Sequence, residues 1–387
     1  MPKQSNQRVI EAIQKVVGSR AVPLHEPSFK GNEWSYIKKC LDTGFVSSVG
    51  SFVTQFESEL AKYTGADYAI AVASGTAALH ISLKLSGVRP QDEVLTPTLS
   101  FIATANAVSY CGATPHFVDS DLDSWGIDAR KLRNYLAKIT EQRGGFCVSK
   151  VTGRVIRAMI PMHVFGHPCD LDGLLAVACD YNIALVEDAA ESIGSYYYGK
   201  HTGTFGALGA LSFNGNKTIT TGGGGAILTN NKDLANKARH ITTTSKIPHP
   251  WNYTHDEVGF NYRMPNLNAA LGCAQLEMLP SMLASKRQLT ARYLDVFKTT
   301  DDVALKIEPT GCVSNYWLQT LMLVDSQTSR LEDLLSEANK QGIMTRPIWG
   351  LTHEQLPYKD CPKMDLNQAT NIAKRAINIP SSVGLIE

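Results

Sequence analysis

Several absences narrow what this chain can be. Its eight cysteines (Cys40, Cys111, Cys147, Cys169, Cys179, Cys273, Cys312, Cys361) are scattered, with no C-x-x-C pair. That spacing argues against a disulfide framework or a zinc knuckle and suits reduced thiols in a cytosolic protein. No stretch approaches the roughly 18 apolar residues of a membrane span, and the N-terminus lacks the apolar core of a signal peptide. An excess of charge is missing as well: 37 Lys and Arg face 36 Asp and Glu, for a net +1. Neither nucleic acid nor an anionic membrane is an expected partner. Internal repeats and low-complexity tracts are also lacking. These absences point to a cytoplasmic protein.

What remains is an ordinary globular composition, 43% hydrophobic and 19% charged over 387 residues, with length enough for two domains or one large and one small. Met1 to Gly18 patterns as an amphipathic helix with Val9, Ile10, Ile13, Val16 and Val17 on one side. From about Tyr68 to Asn230 strand-like runs alternate with helical segments, which predicts an α/β fold with a mainly parallel sheet. From about Asn266 the texture changes: a long helical stretch, Asn268 to Phe297, with a kink or restart expected at Pro280, leads into a smaller α+β region. The expected division is a helical segment at 1–20, a large domain at 21–265 and a small domain at 266–387. Gly144, Gly145 and Gly153 read as a surface loop.

Ligands of parallel sheets gather at the carboxyl ends of strands, and several polar or glycine-bearing breaks fall at such ends. Ser74-Gly75-Thr76 joins a strand to a helix, where free N–H groups and the helix dipole suit a phosphate; an ordinary N-cap is the plainer alternative. Ile183 to Val186 runs into Glu187-Asp188-Ala189-Ala190-Glu191, and Ala207 to Phe213 breaks into Asn214-Gly215-Asn216-Lys217. A lone lysine is ordinarily a solvated surface residue. A lysine and an acid that each end a buried strand instead suit pyridoxal 5′-phosphate, the lysine as the Schiff-base residue and the acid keeping the pyridine nitrogen protonated. Phe101 is either core or a face for a flat ring. Gly222 to Gly225 precedes a strand, not a helix, and so misses the dinucleotide-binding pattern. Leu211 and Asn216 break the P-loop pattern around Lys217. His163 and His167 are four apart, but Gly166 and Pro168 argue against a shared helix face, so no metal is expected.

Taken together, from Val22-Pro23-Leu24 to about Tyr358, the chain resembles the DegT/DnrJ/StrS sugar aminotransferases, pyridoxal phosphate enzymes of the aspartate-aminotransferase fold (fold type I). That resemblance implies phosphate contacts from Gly75, Thr76 and Ser212, ring stacking by Phe101, and pairing of Asp188 with the pyridine nitrogen. It further implies Glu191 near the ring hydroxyl and Lys217 as the Schiff-base lysine. Asn261, in Gly259 to Met264, is implied to reach a partner subunit's site in a homodimer with shared active sites. The four glycines replace the family's usual Gly-Glu-Gly-Gly, and Asn315-Tyr316-Trp317 stands where relatives often carry a histidine. Phe213 to Thr221, His255 to Gln275 and Arg346 to Trp349 look most like a subgroup that aminates UDP-4-keto-6-deoxy-N-acetylglucosamine with L-glutamate. Arg346, Trp349 and His163 are the candidate substrate residues; for His163 a satisfied core histidine is the alternative. Rival readings are a GDP- or dTDP-linked keto-sugar, amination at C3, and a non-catalytic pyridoxal-binding regulator.

Overall fold

The computed structural model describes residues 2–18, 20–324 and 328–386. Met1, expected to begin the first helix, lies outside the described residues, and that helix runs Pro2–Val17. Seven strands build the main sheet: β1 (Tyr68–Val72), β2 (Glu93–Pro97), β3 (Thr114–Val118), β4 (Ile156–Met159), β5 (Ala184–Asp188), β6 (Leu208–Ser212) and β7 (Gly225–Thr229). Their order is β1-β7-β6-β5-β4-β2-β3. Only β7 runs against its neighbours, and the remaining pairs are parallel. The carboxyl ends of the other six strands therefore lie along one edge.

Both faces of this sheet are covered, which explains why its strands read as near-continuous apolar runs rather than alternating ones. Successive side chains still point to opposite faces. Ala69, Ala71, Leu211, Ala226 and Leu228 pack with Phe52, Phe56 and the helix Asn266–Phe297. Ile70, Val72, Ala210 and Ile227 pack with the helix Gly75–Leu85 on the other side.

A second sheet of four antiparallel strands follows, ordered 303–305, 319–323, 376–379 and 346–347. Its Leu321, Leu323, Ile377 and Ile379 share a core with Val9, Ile10 and Ile13 of the N-terminal helix. The apolar side read from the first residues thus docks on the part of the chain farthest from it in sequence.

Of the kink or restart expected at Pro280, a restart does not occur: the helix Asn266–Phe297 carries the proline inside it. A proline removes one backbone donor, and here the buried Leu279 and Met282 on either side tie both halves to the core. The surface loop expected at Gly144 and Gly145 is the exposed two-residue turn of a hairpin pairing 140–143 with 146–149. Both have positive φ, 59° and 82°, as the turn that matches strand twist demands.

Candidate active site

Each break expected to carry chemistry ends a strand on the same edge. After β1, Ser74 caps the helix Gly75–Leu85, its Oγ accepting from the Ala77 N–H at 3.1 Å. The first N–H groups of a helix have no acceptor within it, so those of Gly75 and Thr76 are free to take an anion. A Cβ on Gly75 would stand 2.7 Å from the Cβ of Ser212 at the end of β6. Glycine is what lets this helix terminus press so closely on the neighbouring strand end.

Asp188, the last residue of β5, is almost fully buried. Thr104 Oγ donates to its Oδ2 at 2.7 Å and the Ala190 N–H to its Oδ1 at 3.2 Å. Burial pushes its pKa up, and the Thr104 hydroxyl, the Ala190 N–H, Lys217 and His163 oppose the rise. A carboxylate accepts about four hydrogen bonds, so Asp188 keeps capacity for a donor in the cavity. Glu191, also buried, has its pKa raised to about 7 by burial, against the pull of Lys217 and the Phe165 N–H. Lys217 follows a turn in which its N–H donates to Asn214 O at 3.0 Å. Its Nζ lies 3.1 Å from Glu191 Oε1 and 3.8 Å from the centroid of the Trp317 ring.

Gly75, Thr76, Phe101, Asp188, Glu191, Ser212, Lys217 and Trp349 meet on one cavity of about 340 Å³. Phe101 is 51% exposed, a face at the opening rather than core, and its ring centroid is 6.4 Å from that of Trp349. Three candidates lie elsewhere. His163 is corrected to a core residue: its Nε2 lies 3.1 Å from Glu187 Oε2 and its Nδ1 accepts from the Cys169 N–H at 3.1 Å, leaving no ring nitrogen for a substrate. Its His167 neighbour hydrogen-bonds Ser314 Oγ instead. Arg346 is exposed on an edge strand and does not line the cavity. Asn261 is exposed and bridges to Thr243, away from this chain's own cavity.

Sequence reasoning missed Thr104, which lies on the helix Ile102–Tyr110, and Phe165. It saw Trp317 only as a departure from a pattern, not as a wall of the cavity. An amine beside a buried acid, a second buried acid, an anion-binding helix end and aromatic faces together suit an aldehyde cofactor carrying a phosphate and a ring nitrogen. The donors and acceptors present fit pyridoxal 5′-phosphate.

Comparison with known proteins bears on the same point. Residues 27–387 match the sequence model of the DegT/DnrJ/EryC1/StrS aminotransferase family. The chain is 37% identical over 368 residues to the GDP-perosamine synthase of Caulobacter vibrioides, covering 95% of this chain and 94% of that one. It is 34% identical over 373 residues to the putative pyridoxal phosphate-dependent aminotransferase EpsN of Bacillus subtilis, with 95% and 92% covered. A solved DegT DnrJ EryC1 StrS aminotransferase from Brucella abortus matches at a TM-score of 0.82 and 27% identity over 91% of both chains.

Proposed function

The chain belongs to the DegT/DnrJ/EryC1/StrS aminotransferase family, whose cofactor is pyridoxal 5′-phosphate, and on that premise we propose that it aminates a nucleotide-linked 4-keto-6-deoxy sugar with L-glutamate as donor. The observation that carries this reading is the placing of Lys217 Nζ, Glu191 and Asp188 on one cavity with the helix end at Gly75 and Thr76. When bound, pyridoxal phosphate supplies a carbonyl that carries the amino group and a ring that withdraws electrons. Gly75, Thr76 and Ser212 hold the phosphate, and Phe101 faces the ring. Asp188, its Oδ2 fixed by Thr104, holds the ring nitrogen protonated. Lys217 Nζ would be the attachment point for the cofactor and, as a free amine, would take the proton from the donor Cα and return one to the carbon of the former ketone. Glu191 accepts from Lys217 and lies ready for the ring hydroxyl.

For the sugar, the relative named GDP-perosamine synthase supports a GDP-linked substrate over the UDP-linked one that the subgroup resemblance favours. Trp349, on the cavity wall, is the substrate residue this reading keeps; Arg346, exposed and outside the cavity, is a diphosphate ligand only if the bound nucleotide extends over the edge strand. A homodimer in which Asn261 completes the partner's phosphate site is supported by exposed apolar side chains, Trp251, Tyr253 and Val258 among them, just before it in sequence. The test is a panel of GDP-, UDP- and dTDP-linked 4-keto-6-deoxy sugars with glutamate, read by product mass. Fastest glutamate-dependent amination of the GDP-linked sugar is expected. A faster UDP-linked substrate overturns the nucleotide assignment, and no amination of any sugar leaves the non-catalytic regulator.

A further inference from the structure

Trp317 lies against Lys217 without itself being needed to hold a cofactor. The Lys217 amine is 3.8 Å from the centroid of its ring, close enough for strong attraction between an ammonium and an indole face. The indole N–H donates to Asn216 O at 2.7 Å, so the ring is pinned to the same turn that carries Lys217. The backbone of Trp317 is held from two further sides. Asn315 Oδ1 accepts from the Trp317 N–H at 2.8 Å, while Asn315 Nδ2 donates to Glu191 O at 2.8 Å and Ile193 O at 2.9 Å. The buried Lys286 Nζ donates to Trp317 O at 3.0 Å and Ser381 O at 2.9 Å.

Phe165 finishes the arrangement. Its N–H donates to Glu191 Oε2 at 2.9 Å, and its ring backs both Trp317 and Trp349 at centroid distances of 6.3 and 4.6 Å. It does so at φ 54°, a left-handed conformation that a phenylalanine holds only when its surroundings enforce it. One strained residue thus sets the acid on one side of the lysine and supports the indole on the other.

We propose that Trp317 is a positioning residue for the nucleophile: its indole face and Glu191 form a slot that holds the Lys217 amine aside whenever that amine is not bonded to the cofactor. The proposal rests on the reading of Lys217 as the cofactor lysine. An amine not bonded to the cofactor and free to swing would leave the line between the donor Cα and the cofactor site. The slot keeps it shielded and a short rotation from its work.

The experiment uses cofactor-stripped protein and a brief pulse of acetic anhydride, with acetylation of Lys217 measured by mass spectrometry against the exposed Lys62. Trp317→Leu removes the ring and the anchor to Asn216 and is expected to speed Lys217 acetylation about fivefold relative to Lys62, with Trp317→Phe between it and wild type. Partial protection in Trp317→Phe, which keeps an aromatic face but not the N–H bond to Asn216 O, is the graded response that a merely structural role would not give. Circular dichroism checks folding; should the leucine variant not fold, an unchanged Lys217 rate in the phenylalanine variant overturns the proposal. An unchanged rate in folded Trp317→Leu overturns it outright. Borohydride trapping of the cofactor on another lysine sinks the reading of Lys217 itself, whereas trapping on Lys217 with acetylation insensitive to Trp317 sinks the slot alone.

Discussion

Replacing Glu191 by glutamine tests the electrostatics of the site without reference to any substrate. Burial raises the Glu191 carboxyl from an ordinary 4.5 to about 7, so the fold favours its protonated form. Below pH 4.5 the group is protonated whether the chain is folded or not, and it carries no penalty. As pH rises through about 7 the folded protein must hold a buried carboxylate, and the stabilisation is lost. The displacement corresponds to about 3 kcal/mol between the two limits. Glutamine has the same shape and does not titrate. The difference in unfolding free energy between wild type and Glu191→Gln should therefore move by about 3 kcal/mol between pH 4.5 and 8, in favour of the glutamine variant at high pH. Urea unfolding of cofactor-free protein at one fixed protein concentration measures it, so that self-association weighs equally on both variants. In a Lys217→Ala background the nearby positive charge is gone, so the midpoint of the change should rise. A difference independent of pH from 5 to 8.5, or a midpoint that falls on removing Lys217, refutes the reasoning.

Thr104→Val removes the 2.7 Å hydrogen bond to Asp188 and should lower kcat about tenfold or more with the fold intact. Asp188→Asn, which removes the charge altogether, should lower it by further orders of magnitude, and steady-state kinetics with circular dichroism checks both. Gly75→Ala forces a Cβ to within 2.7 Å of that of Ser212 and should weaken pyridoxal phosphate binding about tenfold in a fluorescence titration, since such overpacking commonly costs 1–3 kcal/mol. Mixing Asn261→Ala with Lys217→Ala subunits should restore activity that neither parent shows, because a mixed dimer holds one complete site; a mixture as inactive as its parents contradicts the shared site.

How much of this was legible before the structure depends on the range of the interactions involved. Ser74, Asp188 and Lys217 stood out because parallel strands end in local punctuation, and six of those ends share an edge. The fate of His163 needed the third dimension. Glu187 and Asp188 are adjacent in β5 and point to opposite faces, so Asp188 lines the cavity while Glu187 accepts from His163 and from the N–H groups of Gly203, Phe205 and Gly206. Nothing in the local pattern announces that the acid beside the functional one is the partner of the histidine. Trp317 and Asn315 reach the site from about a hundred residues beyond Lys217, through contacts that no periodicity reveals. The hairpin at Gly144 and Gly145 was open to recognition, since two glycines between short runs are a turn signal that outweighs the polar texture around them.

The central claim is that Lys217 is the amine that binds the cofactor. Protein loaded with pyridoxal 5′-phosphate, reduced with borohydride, digested and sequenced by mass spectrometry should carry the reduced adduct on Lys217, and Lys217→Ala should carry none while keeping its fold. An adduct on any other lysine in the wild-type chain, or an undiminished adduct in Lys217→Ala, would contradict the account.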